Sequence, residues 1–138
     1  MKKTLILIIL FTASIFARSQ SSINSFMKEN YDKFEYQIPM RDGIKLFTLV
    51  YMPKDRSKTY PILMNRTCYN ASGYANFNTH GHPSDYLVKD MYILVFQDVR
   101  GRYMSEGTFD NMRPNITGND PKNKTAIDES SDTWDSID

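Results

Sequence analysis

Residues Tyr92–Gly107, YILVFQDVRGRYMSEG, constrain what this chain can fold into more than any other stretch. Tyr92–Phe96 is an unbroken apolar run rich in β-branched and aromatic side chains. Such runs form strands buried on both faces, as in parallel sheets covered by helices. The run ends abruptly in Gln97, Asp98, Arg100 and Arg102, with Gly101 and Gly107 interrupting the backbone. Polar groups just past the C-terminal end of a buried parallel strand stand where open α/β sheets build their sites. Structural ion pairs are commoner than catalytic ones, so Asp98 and Arg100 are expected to pair with each other or with loop backbone.

The flanking patterns extend this reading. Tyr36–Met40 and Ile44–Tyr51 are β-rich runs joined through Arg41-Asp42-Gly43, and Asp-Gly in that setting predicts a hairpin. Pro53 ends the second strand and Pro61–Arg66 supplies a third. The long polar stretch Thr67–Pro83 follows, and long connections of this kind are uncommon unless functional. A short helix starting at Pro83-Ser84-Asp85, with Tyr86, Leu87 and Val88 on its apolar side, leads into the Tyr92 strand. That strand–helix–strand crossover predicts parallel pairing of the third and fourth strands. Thr108–Lys124, broken by Pro114, Gly118 and Pro121, reads as loop. Asp128–Asp138 begins a helix, with acids in its first turn and Thr133, Trp134 and Ile137 at helical spacing.

The class is α/β: the N-terminal part of an α/β-hydrolase-like sheet, an antiparallel hairpin leading into parallel strands. Four strands with one crossover helix leave a sheet edge unpaired and one face thinly covered, so the sheet is incomplete by itself.

With 138 residues the chain holds one domain at most. A net charge of +1 without blocks of like charge gives no footprint for nucleic acid. Lys2 and Lys3, the apolar run Leu5–Phe16 and Ala17-Arg18-Ser19 have the form of a secretory signal over residues 1–19. The mature chain is then expected to start at Gln20, secreted or periplasmic and not held in a membrane after cleavage. Residues 20–35 read as an N-terminal arm or short helix, and residues 36–138 as the sheet-forming part of a catalytic domain.

Cys68 is the only cysteine, so no internal disulfide can form, and a lone thiol is most often inert. His80 and His82 lack further ligands at metal-site spacing. The glycines make no phosphate-binding pattern, and no G-x-S-x-G nucleophile elbow occurs. No cofactor or metal is expected. Four N-x-S/T sequons, at Asn65, Asn70, Asn115 and Asn123, matter only in a glycosylating host. The remaining candidate is Tyr69, in Arg66-Thr67-Cys68-Tyr69-Asn70 directly after the third strand. There a phenol could donate to a developing oxyanion, or the ring could simply pack.

Five segments in order carry a resemblance: IPMRDGIKLFTLVYMPK (Ile38–Lys54), PILMNRTCYNASG (Pro61–Gly73), YILVFQDVRGRYMSEGTF (Tyr92–Phe109), Arg113-Pro114, and DESSDTWDSID (Asp128–Asp138). Together they resemble the N-terminal part of the α-amino acid ester hydrolases, within the cocaine-esterase and X-Pro dipeptidyl-peptidase group of α/β-hydrolases. The resemblance implies a serine hydrolase acting on esters or amides of α-amino acids, including β-lactams with an α-amino acyl group. It implies that Tyr69 is an oxyanion-hole donor, the second being the backbone N–H after a serine in a G-x-S-Y-x-G elbow beyond Asp138. The triad Asp and His and the acids that hold the substrate ammonium would come later still. A homo-oligomer is also implied. On this reading the 138-residue piece is inactive alone; the rival is a complete small secreted binding module without catalysis. Cys68 stands where the family has a proline, Met104 where it commonly has glycine, and Asp90-Met91 where it has a glycine-containing turn.

Overall fold

The computed structural model describes residues 23–75, 85–116 and 123–138. The signal over 1–19, His80, His82 and the start of the crossover helix at Pro83-Ser84 lie outside the described residues. A helix α1 over residues 23–30 leads directly into β1, Tyr31–Pro39. Then come β2 (Lys45–Pro53), β3 (Ile62–Thr67), the short helices α2 (Ala71–Tyr74) and α3 (Asp85–Lys89), β4 (Ile93–Asp98) and α4 (Glu129–Ile137). The sheet order is β1-β2-β4-β3. β1 and β4 each pair antiparallel with β2, and β3 pairs parallel with β4, as the crossover required.

The first strand reaches back to Tyr31, so α1 and β1 together occupy most of the stretch read as an arm. Its edge position explains why the pattern hid it: Lys33 and Glu35 are exposed, a common way to blunt a sheet edge. Tyr31 anchors its start. The ring is buried and the hydroxyl donates toward the carbonyls of Val88 (2.9 Å) and Tyr92 (3.0 Å). Burial pushes this phenol up to about 12, so it remains a donor at any ordinary pH. The β1–β2 hairpin closes with Gly43 N–H on Met40 O and Met40 N–H on Ile44 O, both 2.8 Å. Gly43 has φ +86°, the left-handed conformation that ends a three-residue hairpin loop.

Alternation along the strands sorts the side chains onto two unlike faces. Phe47 and Leu49 of β2 and Leu94 and Phe96 of β4 form the apolar face with Tyr31, and Ile23, Met27, Ala71, Ala75 and Val88 pack in the same cluster. The opposite face carries a polar seam. Gln97 Nε2 donates to Thr48 Oγ1 and Ser136 Oγ, both 2.9 Å, and Arg66 Nε donates to Gln97 Oε1 at 2.8 Å. Arg66 Nη1 continues to the carbonyl of Glu129 and the hydroxyl of Thr133, both 2.8 Å. α4 is therefore held to this face by hydrogen bonds. Its Trp134 and Ile137, noted above for their helical spacing, are 58% and 73% exposed. The inward side is Asp132 and Ser136, because the sheet offers Arg66, Gln97 and Thr48 there.

Two arginines tie the hairpin to α4. Arg41 meets Asp135 through Nε (2.9 and 3.1 Å), Nη2 (2.8 Å) and its own backbone N–H (2.8 Å). Arg100 is clamped between Asp132 and Asp42, with Nη2 at 2.6 Å and Nη1 at 2.7 Å respectively. Hydrogen bonds from Arg41 hold the Asp135 carboxyl below its ordinary value of 3.8. A carboxylate lowered in the folded state adds stability that is present above its unfolded value and lost as pH falls through its folded one. The Asp135→Asn variant is accordingly expected to be less stable than the parent at pH 7 and to lose less on acidification below about pH 4. Unfolding transitions followed from pH 7 down to pH 3 check this. Equal acid sensitivity of the two proteins would show that the pair contributes nothing.

Candidate active site

The C-terminal ends of the parallel pair β3 and β4 build the site. Thr67 and Asp98 are the last partners in register, and Val99 N–H still reaches Thr67 O at 3.0 Å. Beyond them both chains turn. After β4 the loop doubles back: Gly101 N–H donates to Glu106 O (2.9 Å) and Glu106 N–H to Lys45 O (2.9 Å). Ser105 Oγ donates to Asp98 O (2.7 Å) and accepts from Phe47 N–H (2.9 Å), so one hydroxyl bridges the ladder where β4 leaves β2. Gly101 has φ +70°, and a Cβ there would lie 2.1 Å from Phe109 N, so no side chain fits.

After β3, residues Cys68–Asn70 form a pinned turn. Tyr69 N–H donates to Thr67 Oγ1 at 3.0 Å, and Cys68 O accepts from Arg102 Nε at 3.0 Å. Asn70 adopts φ 78°, tolerable for Asn, and its side chain caps α2 by accepting from Ser72 N–H at 3.0 Å. Ala71 N–H donates to Asp98 Oδ1 at 2.7 Å. The Arg102 guanidinium lies over the rings of Phe109 (4.9 Å) and Tyr103 (5.3 Å), which fix its plane.

The Tyr69 side chain is 69% exposed, and its hydroxyl has no hydrogen-bond partner among the described residues. A packing role for the ring finds no support in this burial. An open cavity of about 280 Å³ adjoins the turn, lined by Arg66, Cys68, Val99, Phe109, Arg113 and Glu129. Cys68 is a free, half-buried thiol. Among the described residues no group of three or more His, Cys, Asp or Glu is placed to hold a metal ion.

Asp98 and Arg100 divide the expectation made for them. Asp98 binds loop backbone, whereas Arg100 pairs with Asp42 and Asp132 rather than with Asp98. Arg100 reaches the α4 face while Asp98 points to the apolar one: residues two apart share a face in a continuous strand, but β4 ends at Asp98 and the chain turns before Arg100. Thr67 and Arg102 were not singled out by the sequence. A Thr two residues before Tyr69 is an ST-turn spacing and was legible; the reach of Arg102 across to Cys68 was not.

Comparison with known proteins agrees with this geometry. Residues 42–138 match the profile of the family described as X-Pro dipeptidyl-peptidase (S15 family). The chain is 36% identical over 72 residues to cocaine esterase of Rhodococcus sp. (strain MB1 Bresler), covering 52% of this chain and 12% of the esterase. Among solved structures, an aminopeptidase from the marine sediment archaeon Thaumarchaeota archaeon is 41% identical, with a TM-score of 0.65. A selenomethionine-labelled α-amino acid ester hydrolase is 43% identical, with a TM-score of 0.63. Each of these two matches covers 78% of this chain and 18% of the solved chain. The mixed sheet is that of an α/β-hydrolase, and the chain belongs to the X-Pro dipeptidyl-peptidase (S15) family of hydrolases.

Proposed function

We propose that the chain forms the N-terminal part of the catalytic domain of a secreted serine hydrolase that cleaves esters or amides of α-amino acids, with Tyr69 as an oxyanion donor. The observation that carries this is the exposed phenol on a rigid turn at the C-terminal end of β3. Handedness supports it. The β3–β4 crossover runs through α2, on the apolar face, whereas α4 lies on the opposite face. Right-handed crossovers then carry a parallel strand following α4 to the far side of β3. That edge is unpaired among the described residues, with Ile62 64% exposed. A nucleophile elbow at the end of such a strand would stand beside Tyr69. The α-amino acyl class follows from the names of the two solved relatives, and export from Lys2, Lys3 and the apolar run after them.

The test compares phenylglycine methyl ester with phenylacetic acid methyl ester, which lacks the α-amine, on the complete hydrolase carrying this chain. A site that binds the ammonium is expected to favour the amino ester in kcat/KM by on the order of 10²-fold or more. The 138-residue chain alone is expected to hydrolyse neither above a heat-killed control. Equal kcat/KM for the two esters would reject the substrate class, and hydrolysis by the short chain would reject the shared-site reading.

A further inference from the structure

We propose that Arg102 and Thr67 are positioning residues that aim the Tyr69 hydroxyl by gripping both polar atoms of the peptide unit before it. The proposal rests on Tyr69 being the oxyanion donor. The Cys68 carbonyl and the Tyr69 N–H belong to one rigid planar unit. Arg102 Nε holds its oxygen at 3.0 Å and Thr67 Oγ1 holds its N–H at 3.0 Å, from opposite sides. Two hydrogen bonds at the two ends of one plane fix its tilt as well as its place. The peptide unit between Asn70 and Ala71 is held likewise: Asp98 Oδ1 takes its N–H and Gly73 N–H takes its carbonyl at 3.0 Å. Tyr69 and Asn70 thus lie between two clamped planes.

Two further features fit this role. Thr67 and Asp98 are buried, so the sheet-side acceptors of these grips are fixed in the fold. Arg102 is itself immobilised over Phe109 and Tyr103, which turns a flexible side chain into a fixed donor. The unbranched Cys68 leaves its φ free, where a proline would lock it. Arg102 supplies from the β4 loop a restraint that the residue itself does not provide.

The experiment is a double-mutant cycle on the complete hydrolase. Arg102→Met keeps an unbranched aliphatic side chain and removes the donor to Cys68 together with the guanidinium over Phe109. It is expected to lower kcat on the order of tenfold or more, with KM within about twofold, since small misplacement of a catalytic group is costly. In the Tyr69→Phe background the same change is expected to be silent, because Arg102 acts through the hydroxyl already removed. Thr67→Val, near-isosteric, repeats the test from the other end of the plane and decides it alone where Arg102→Met does not fold. Losses that add to that of Tyr69→Phe would overturn the proposal while leaving the role of Tyr69 intact. Near-normal turnover of Tyr69→Phe itself would instead overturn the oxyanion assignment beneath it.

Discussion

Replacing Tyr69 by phenylalanine in the complete hydrolase is expected to lower kcat by on the order of 10²–10³-fold, about 3–4 kcal/mol, with KM little changed. The change deletes one hydroxyl and keeps the ring. Because the side chain is 69% exposed and its hydroxyl has no partner among the described residues, the folded chain loses no hydrogen bond seen there. The effect should therefore fall on the reaction and not on stability. An oxyanion donor is engaged mainly once the carbonyl oxygen has taken up charge, so its removal weakens transition-state binding more than substrate binding. Steady-state kinetics with an amino ester, alongside a thermal unfolding scan, makes the distinction. Turnover within about threefold of the parent, a difference under ~1 kcal/mol, would reject the role.

The sequence revealed elements marked by apolar runs or by a special backbone conformation, and concealed those held by polar contacts. Tyr92–Phe96 announced β4 because a strand covered on both faces reads as an unbroken apolar run. The Asp42-Gly43 pair announced the hairpin because few residues other than Gly accept φ +86°. β1 was shortened in the reading since Lys33 and Glu35 interrupt the pattern on an edge strand. The inward side of α4 was not legible for a related reason: the sheet beneath it presents Gln97 and Arg66, and hydrogen bonds hold the helix there. At the site, the position of Tyr69 directly after β3 was legible, while the role given to it came from the resemblance. The residues that hold it were partly hidden, because Arg102 and Cys68 are 34 positions apart and meet only through the β3–β4 register. Met91 sits at φ 63°, a left-handed position before β4 that glycine would adopt at less cost.

Arg100→Met is expected to destabilise the catalytic domain by about 3–5 kcal/mol. Arg100 joins three parts of the fold: the loop after β4, the hairpin turn through Asp42, and α4 through Asp132. Its side chain is 5% exposed and that of Asp132 2%. Burial by itself would favour the neutral guanidinium, but the hydrogen bonds it donates to Asp132 and Asp42 hold it charged, with its pKa above the ordinary value. Removing the arginine takes the close counter-charge from Asp42 and Asp132, and the buried Asp132 keeps only the longer contact to Arg66 Nη2 at 3.9 Å. That poorly compensated buried charge, more than the lost attraction, sets the size of the effect. Asp132→Asn in the Arg100→Met background should therefore recover part of the loss, a non-additivity that a packing defect would not produce. Arg56→Ala supplies the contrast: its pair with Asp32 is 44% exposed on both sides, and such pairs contribute at most about 1 kcal/mol. Thermal unfolding of the complete hydrolase is expected to fall by at least roughly 5 °C for Arg100→Met and to be nearly unmoved for Arg56→Ala. Equal, small shifts for the two variants would show that the Asp42–Arg100–Asp132 bridge does not hold the hairpin to α4.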